Sequence, residues 1–133
     1  VEKFQKQIIG IKDTTGNIFE ELNLENFSIL PGSETQLLKG LEIGCSGVIT
    51  ATCNVNANLA RKVYDDFING QEQTVNQKLC EIRNIFEKNN VVSSLHSYLS
   101  KNDSIYKNLL PPLSLLNEKQ TQELELDLKK IKF

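Results

Sequence analysis

IIGIKDTTGN, residues 8–17, sets three isoleucines around a glycine, then a lysine at position 12 and a polar turn. Branched side chains favour a pleated, buried surface, so the apolar half reads as a short strand, while Asp-Thr-Thr-Gly-Asn reads as the turn that ends it. Two further apolar runs, FSIL (27–30) and GVITA (47–51), follow at intervals of about twenty residues. Their continuous, rather than alternating, apolar character predicts strands covered on both faces, as in a parallel sheet. The spacing leaves room for a helix after each.

After the second run, Ser33 can cap a helix in PGSETQLLKGLEIG, with Gln36 as the second arm of a capping box and Leu37, Leu38 and Leu41 as the inner stripe. After the third, NANLARKVYDDFING places Leu59, Val63 and Phe67 four apart and stops at Gly70. Beyond that the pattern is helical: Val75, Leu79, Ile82 and Phe86 form one stripe, Val92, Leu95 and Leu99 a second, and Leu124, Leu128 and Ile131 a third capped by Asn117. LLPPLSLLN (109–117) is expected to be extended, because Pro112 drives Pro111 out of the helical region and neither donates a hydrogen bond. The chain therefore divides into three β/α units over residues 1–70 and a helical region over 71–133.

Hydrophobic residues are 39% and charged residues 24% of the 133, with 15 Lys plus Arg against 17 Asp plus Glu. That balance suits a globular domain and offers no clustered basic excess for nucleic acid or a membrane surface. No apolar stretch approaches the roughly 20 residues that span a bilayer, and VEKFQKQ lacks the layout of a signal peptide, so a cytoplasmic location is expected. Cys45, Cys53 and Cys80 match neither a zinc site nor a disulfide framework and read as reduced, mostly buried residues. No metal or cofactor is expected. The chain has no methionine, so residue 1 is not an unprocessed start, and an N-terminal part is expected to be missing.

Three β/α units could form a small α/β sheet, or the end of a closed barrel that typically needs ~250 residues. In a barrel, Lys12 would stand at the C-terminal end of its strand, where such folds build their sites. An enclosed lysine loses charge more easily and becomes a nucleophile able to form a Schiff base with a ketone. Equally, Lys12 could lay its stem over apolar surface with its ammonium in water. Spacing does not separate the two readings. GLEIGCSG (40–47) follows a helix and precedes a strand, the reverse of a dinucleotide fingerprint, and His96, the one histidine, has no nucleophile–base arrangement around it and reads as a surface or packing residue.

IIGIKDTTGN resembles the Schiff-base lysine motif of the dihydrodipicolinate synthase and N-acetylneuraminate lyase family. LPGSETQLLKGLEIGCSGVITATCNVN (30–56) resembles the family's next two strands, and LLPPLSLL (109–116) its proline-containing C-terminal stretch. The resemblance implies the C-terminal part of a (β/α)8 TIM barrel, strands six to eight and the C-terminal helices, from a chain about twice this length. It implies a pyruvate-dependent class I aldolase or lyase that makes or breaks a carbon–carbon bond between pyruvate and an aldehyde. Lys12 would form the imine, and Thr14, Gly32, Ser33, Glu34 and Ile49 would bind substrate. Some of these have another possible use, Thr14 as a turn hydroxyl, Ser33 as a helix cap and Ile49 as interior packing. The family's proton-relay tyrosine and its carboxylate-binding threonines would lie in the missing N-terminal half, and the assembly would be a tetramer.

Gly32-Ser33-Glu34 stands where dihydrodipicolinate synthases usually carry Gly-Asp-Asp, which leaves the aldehyde open, a 2-keto-3-deoxy sugar-acid aldolase being one candidate. The alternative from another class is a truncated, non-catalytic half-barrel that serves only as an assembly piece. In an isolated half-barrel strands six and eight would each present an unpaired edge, which predicts self-association in sedimentation; a compact monomer would argue against the half-barrel reading.

Overall fold

The computed structural model describes residues 2–4, 6–21 and 24–133. They form two compact units, Val1–Leu79 and Cys80–Phe133.

In the first unit, β1 (Gly10–Asp13) and β2 (Ser28–Pro31) run parallel, Gly10 opposite Ser28 and Asp13 opposite Pro31. A parallel pair needs a crossover, and α1 (Ile18–Glu21) lies on it. Residues in register share a face of the sheet, so Ile11, Asp13, Ile29 and Pro31 look one way and Gly10, Lys12, Ser28 and Leu30 the other. The first set meets the protein interior. Ile29 and Cys45 are buried together against Ile11 and Phe27, and Pro31 lies under Gly40, where a Cβ would come 3.2 Å from its ring. The second face is not closed over by the described residues: Lys12 is exposed and Ile49, beside β2, is 50% exposed. Among the described residues, then, one face of the sheet is covered.

The third apolar run does not become a strand. Ser46 N–H donates to the Ile29 carbonyl (3.0 Å) and Ile49 N–H to the Pro31 carbonyl (3.1 Å), so three residues on one side span two on β2 and the ladder slips. Gly47, at φ 144°, takes up the extra residue in a conformation that suits glycine. The run flanks β2 without regular pairing.

The helices follow the apolar stripes. Ser33 caps a single 3-10 turn (Glu34–Gln36) by accepting from the Thr35 N–H, and this turn leads into α2 (Leu37–Glu42). The Gln36 amide lies against Gly16, where a Cβ would meet its nitrogen at 2.2 Å. α3 (Cys53–Ile68) ends before Gly70, whose φ of 64° is the left-handed stop expected of it. Leu37 and Leu41 of α2 pack on Ala60 and Val63 of α3 and on Leu79. Burial of each such leucine or valine contributes about 1.5–3 kcal/mol. Asn56 interrupts α3 with non-helical dihedrals (φ −132°, ψ 22°). In α4 (Asn76–Phe86) the stripe of Leu79, Ile82 and Phe86 is wholly buried.

The second unit holds α5 (Val91–Leu99) and α6 (Glu118–Lys130). Asn90 caps α5 by accepting from the N–H groups of Val92 and Ser93. Asn117 and Gln120 form a reciprocal capping box at α6. Residues 109–117 carry no helix, and Leu116 N–H donates to the Ser97 hydroxyl (2.9 Å). The Phe86 ring meets Tyr98 edge-on at 5.6 Å, and Tyr98 stacks on Phe133. The Asp127 carboxylate receives hydrogen bonds from Lys130 and Lys88, both at 2.7 Å.

Two outcomes follow for this unit. Phe86→Ala is expected to lower stability by about 3–5 kcal/mol in urea unfolding, as core aromatic truncations do, whereas Leu110→Ala, at a side chain 85% exposed, is expected to leave the midpoint in place. Hydrogen bonds from Lys130, then Lys88, hold the Asp127 carboxyl down from 3.8 to about 2. A folded pKa below the unfolded one gives stability that is present above pH ~4 and lost as pH falls toward 2. Asp127→Asn should therefore unfold with a shallower loss of urea midpoint over that range than the wild type; parallel pH curves would disprove the linkage.

Candidate active site

The site is built at the C-terminal ends of β1 and β2. Lys12 is the penultimate residue of β1, side by side with Leu30 on the open face, and its neighbour Asp13 turns inward and is almost wholly buried. A buried carboxylate needs hydrogen-bond donors, and the turn that follows supplies them. Asp13 Oδ1 accepts from Thr15 N–H (3.0 Å), Thr15 Oγ1–H (2.6 Å) and Gly16 N–H (3.1 Å), and Oδ2 accepts from Ile18 N–H (2.8 Å) at the start of α1. The β1–α1 turn is thereby wound around one side chain. Lys12, exposed and with no ion-pair partner among the described residues, projects from the strand that this turn terminates.

β2 ends against the same turn. Gly32 N–H donates to the Asp13 carbonyl at 2.7 Å, and a Cβ on Gly32 would come within 2.8 Å of Thr14 Cα and 3.0 Å of its hydroxyl. Only glycine fits there, and this contact brings Thr14 and Gly32 together. Thr14 itself is exposed. Ser33 is half-buried, its hydroxyl within 2.9 Å of the Thr35 hydroxyl and accepting from the Thr35 N–H at 3.4 Å.

Glu34 is fully buried. Its Oε2 accepts from Thr50 Oγ1–H at 2.6 Å, its Oε1 accepts from Thr52 Oγ1–H, and the two hydroxyls lie 3.2 Å apart. Ile49 precedes Thr50 and stands half exposed beside the end of β2. Lys12, Thr14, Gly32, Ser33, Glu34 and Ile49 thus gather at one end of the sheet, with Asp13, Thr50 and Thr52 supporting them. These last three carry roles that the motifs did not single out. Asp13 could have been found, since an aspartate opening Asp-Thr-Thr-Gly-Asn is a turn-forming residue whose side chain bonds the backbone just ahead. Thr50 and Thr52 could not, because their partner lies 16 and 18 residues away.

The enclosure expected around Lys12 is not supplied by this chain, whose described residues leave the lysine in solvent. Nearby, burial and then the charge of Asp13 push the Cys45 thiol up from its ordinary pKa, so it stays protonated at neutral pH. None of the three cysteines forms a disulfide. His96 lies on α5, where its Nδ1–H donates to the Tyr106 carbonyl (2.7 Å), a packing arrangement. Among the described residues no cluster of three or more His, Cys, Asp or Glu could hold a metal ion, and no helix is long and apolar enough to cross a membrane.

The sequence pattern of the Dihydrodipicolinate synthetase family matches residues 2–131. The 4-hydroxy-tetrahydrodipicolinate synthase of Escherichia coli O139:H28 (strain E24377A / ETEC) is 32% identical over 87 residues, 59% of this chain and 30% of that protein. A dihydrodipicolinate synthase structure from Thermotoga maritima superposes with a TM-score of 0.81 at 22% identity, over 95% of this chain and 46% of that one. The 4-hydroxy-tetrahydrodipicolinate synthase of Methylacidiphilum fumariolicum SolV gives 0.80 at 23% identity, over 96% and 45%. These two likenesses carry the fold, and the chain spans less than half the length of the proteins it matches. With a match that runs almost from end to end, the chain belongs to the Dihydrodipicolinate synthetase family.

Proposed function

We propose that this chain carries the imine-forming strand end of a pyruvate-dependent class I aldolase or synthase, as strands six and seven, the run 47–51 that would pair as strand eight only in the whole (β/α)8 barrel, and the C-terminal helices. The observation that carries the reading is Lys12: an exposed lysine without an ion-pair partner among the described residues, at the tip of a strand whose following turn is fixed by a buried aspartate. Its neutral amine adds to the keto carbon of pyruvate and expels water to give an imine. The protonated imine withdraws electrons, so a methyl proton leaves and the resulting enamine carbon attacks an aldehyde. Hydrolysis returns the lysine and releases the product. In the reverse direction the same steps cleave a carbon–carbon bond.

Thr14 offers a hydroxyl to the bound keto acid, the Gly32–Glu34 loop lines the acceptor side, and Ile49 walls the pyruvate pocket. The rest of the barrel supplies the proton-transfer groups, and its strands would close the open face on which Lys12 stands. Pyruvate and an aldehyde as substrates, a 2-keto-3-deoxy sugar acid as one specific product, a homo-oligomer of tetrameric type and a cytoplasmic location belong to the same proposal. The open face also favours a second reading, in which this chain acts as an assembly piece without chemistry of its own. Exposed Ile9 and Ile49 are what a partner would cover.

The test uses the longest natural form of the chain in deuterium oxide with pyruvate. Enamine formation exchanges the methyl protons for deuterium, and Lys12→Ala is expected to abolish the catalysed exchange while retaining the wild-type circular dichroism. The change removes a nucleophile from a strand end and no core side chain. Wild-type exchange in that variant would refute the mechanism, and no exchange in the wild type itself would leave the assembly reading.

A further inference from the structure

Thr52 immediately precedes α3, but its dihedrals (φ −72°, ψ −16°) are helical, not the extended ones from which a threonine hydroxyl accepts a hydrogen bond from the first turn of its helix. It makes no such bond. Its hydroxyl donates to Oε1 of Glu34, on the loop after β2, while Thr50 donates to Oε2 at 2.6 Å. All three groups are withdrawn from solvent: Glu34 and Thr52 entirely and Thr50 in part. Two hydroxyls of one segment thus converge on a single buried carboxylate of another.

We infer that Thr50 and Thr52 are positioning residues that hold the Glu34 carboxylate, and through it fix the Gly32–Glu34 loop and Ile49 opposite Lys12. The inference rests on the pyruvate reading of the site. The ties close on themselves. Ile49 N–H is bonded to the Pro31 carbonyl, Thr50 follows Ile49, its hydroxyl is bonded to Glu34, and Glu34 is three residues beyond Pro31. A backbone bond and a side-chain bond at neighbouring positions prevent the two segments from pivoting about either one. The second donor, Thr52, fixes the rotation of the carboxylate. Gly32 N–H on the Asp13 carbonyl then joins this cross-tied pair to the turn after Lys12. Hydrogen bonds to a charged acceptor are the stronger kind, and burial keeps water from replacing them. Without the hydroxyls the carboxylate is left with fewer donors in a dry position and must turn outward, taking the loop with it.

The experiment measures borohydride trapping of pyruvate on Lys12, in the longest natural form of the chain, as a function of pyruvate concentration. Thr50→Val and Thr52→Val keep the side-chain shape and remove the donor. Each is expected to raise the pyruvate concentration for half-maximal trapping by roughly tenfold, with a much smaller change in the limiting rate. Thr52→Ser, which restores the hydroxyl, is expected to return the half-saturation to the wild-type value. A merely structural role would lower the melting temperature without moving the half-saturation of the folded protein. Unchanged half-saturation in both valine variants overturns the inference, as does a Thr52→Ser variant as impaired as Thr52→Val. Should Thr52→Val fail to fold, Thr50→Val, at the half-buried position, decides alone. A wild-type Lys12 that stays unmodified at every pyruvate concentration overturns the imine reading and this inference together, and is recognisable because the variants play no part in it.

Discussion

The buried carboxylate of Asp13 fixes the end of the sheet on which the candidate site stands. Placing a charge in the interior is costly unless donors surround it, and the turn that follows brings them within reach: the Thr15 and Gly16 N–H groups, the Thr15 hydroxyl and the first N–H of α1. Satisfying the charge therefore determines the path of the backbone from β1 into α1. The carbonyl of the same residue receives the Gly32 N–H, which sets where β2 stops. One side chain and one peptide group thus align the tips of both strands.

The period of the strand does the rest. Because successive side chains alternate, Asp13 can face inward only if Lys12 faces the other way. The inward face is consumed by packing on Cys45 and α2, and the core of α2 and α3 holds that packing in place. Lys12 is left on the face that these elements do not cover. The same alternation that stabilises the sheet presents the amine. In this family member the geometry of the strand end is set by local bonds within the chain, while closing the open face falls, under the proposed function, to the rest of the barrel.

Much of this was legible from residue order. The apolar runs located β1 and β2, the stripes Leu59-Val63-Phe67 and Leu79-Ile82-Phe86 located α3 and α4, and Asn117 announced the start of α6, because each signal is local and repeats with the period of its element. The third run failed for a reason that composition does not carry. Its side chains suit a strand, but Gly47 absorbs a residue and breaks the register. Apolar character reports what a strand can bury, and among the described residues one face of the sheet is covered. At the candidate site, Lys12 was named from its motif, whereas the Glu34 partners were hidden by their separation in sequence.

The central claim is that Lys12 is a nucleophile and not a lysine resting at a strand end. Borohydride reduction of the longest natural form of the chain in the presence of pyruvate, followed by peptide mass mapping, tests it most directly. One stable adduct is expected, on the peptide that contains Lys12 and on no other lysine. A folded protein that yields no adduct, or an adduct on a different lysine, would contradict it.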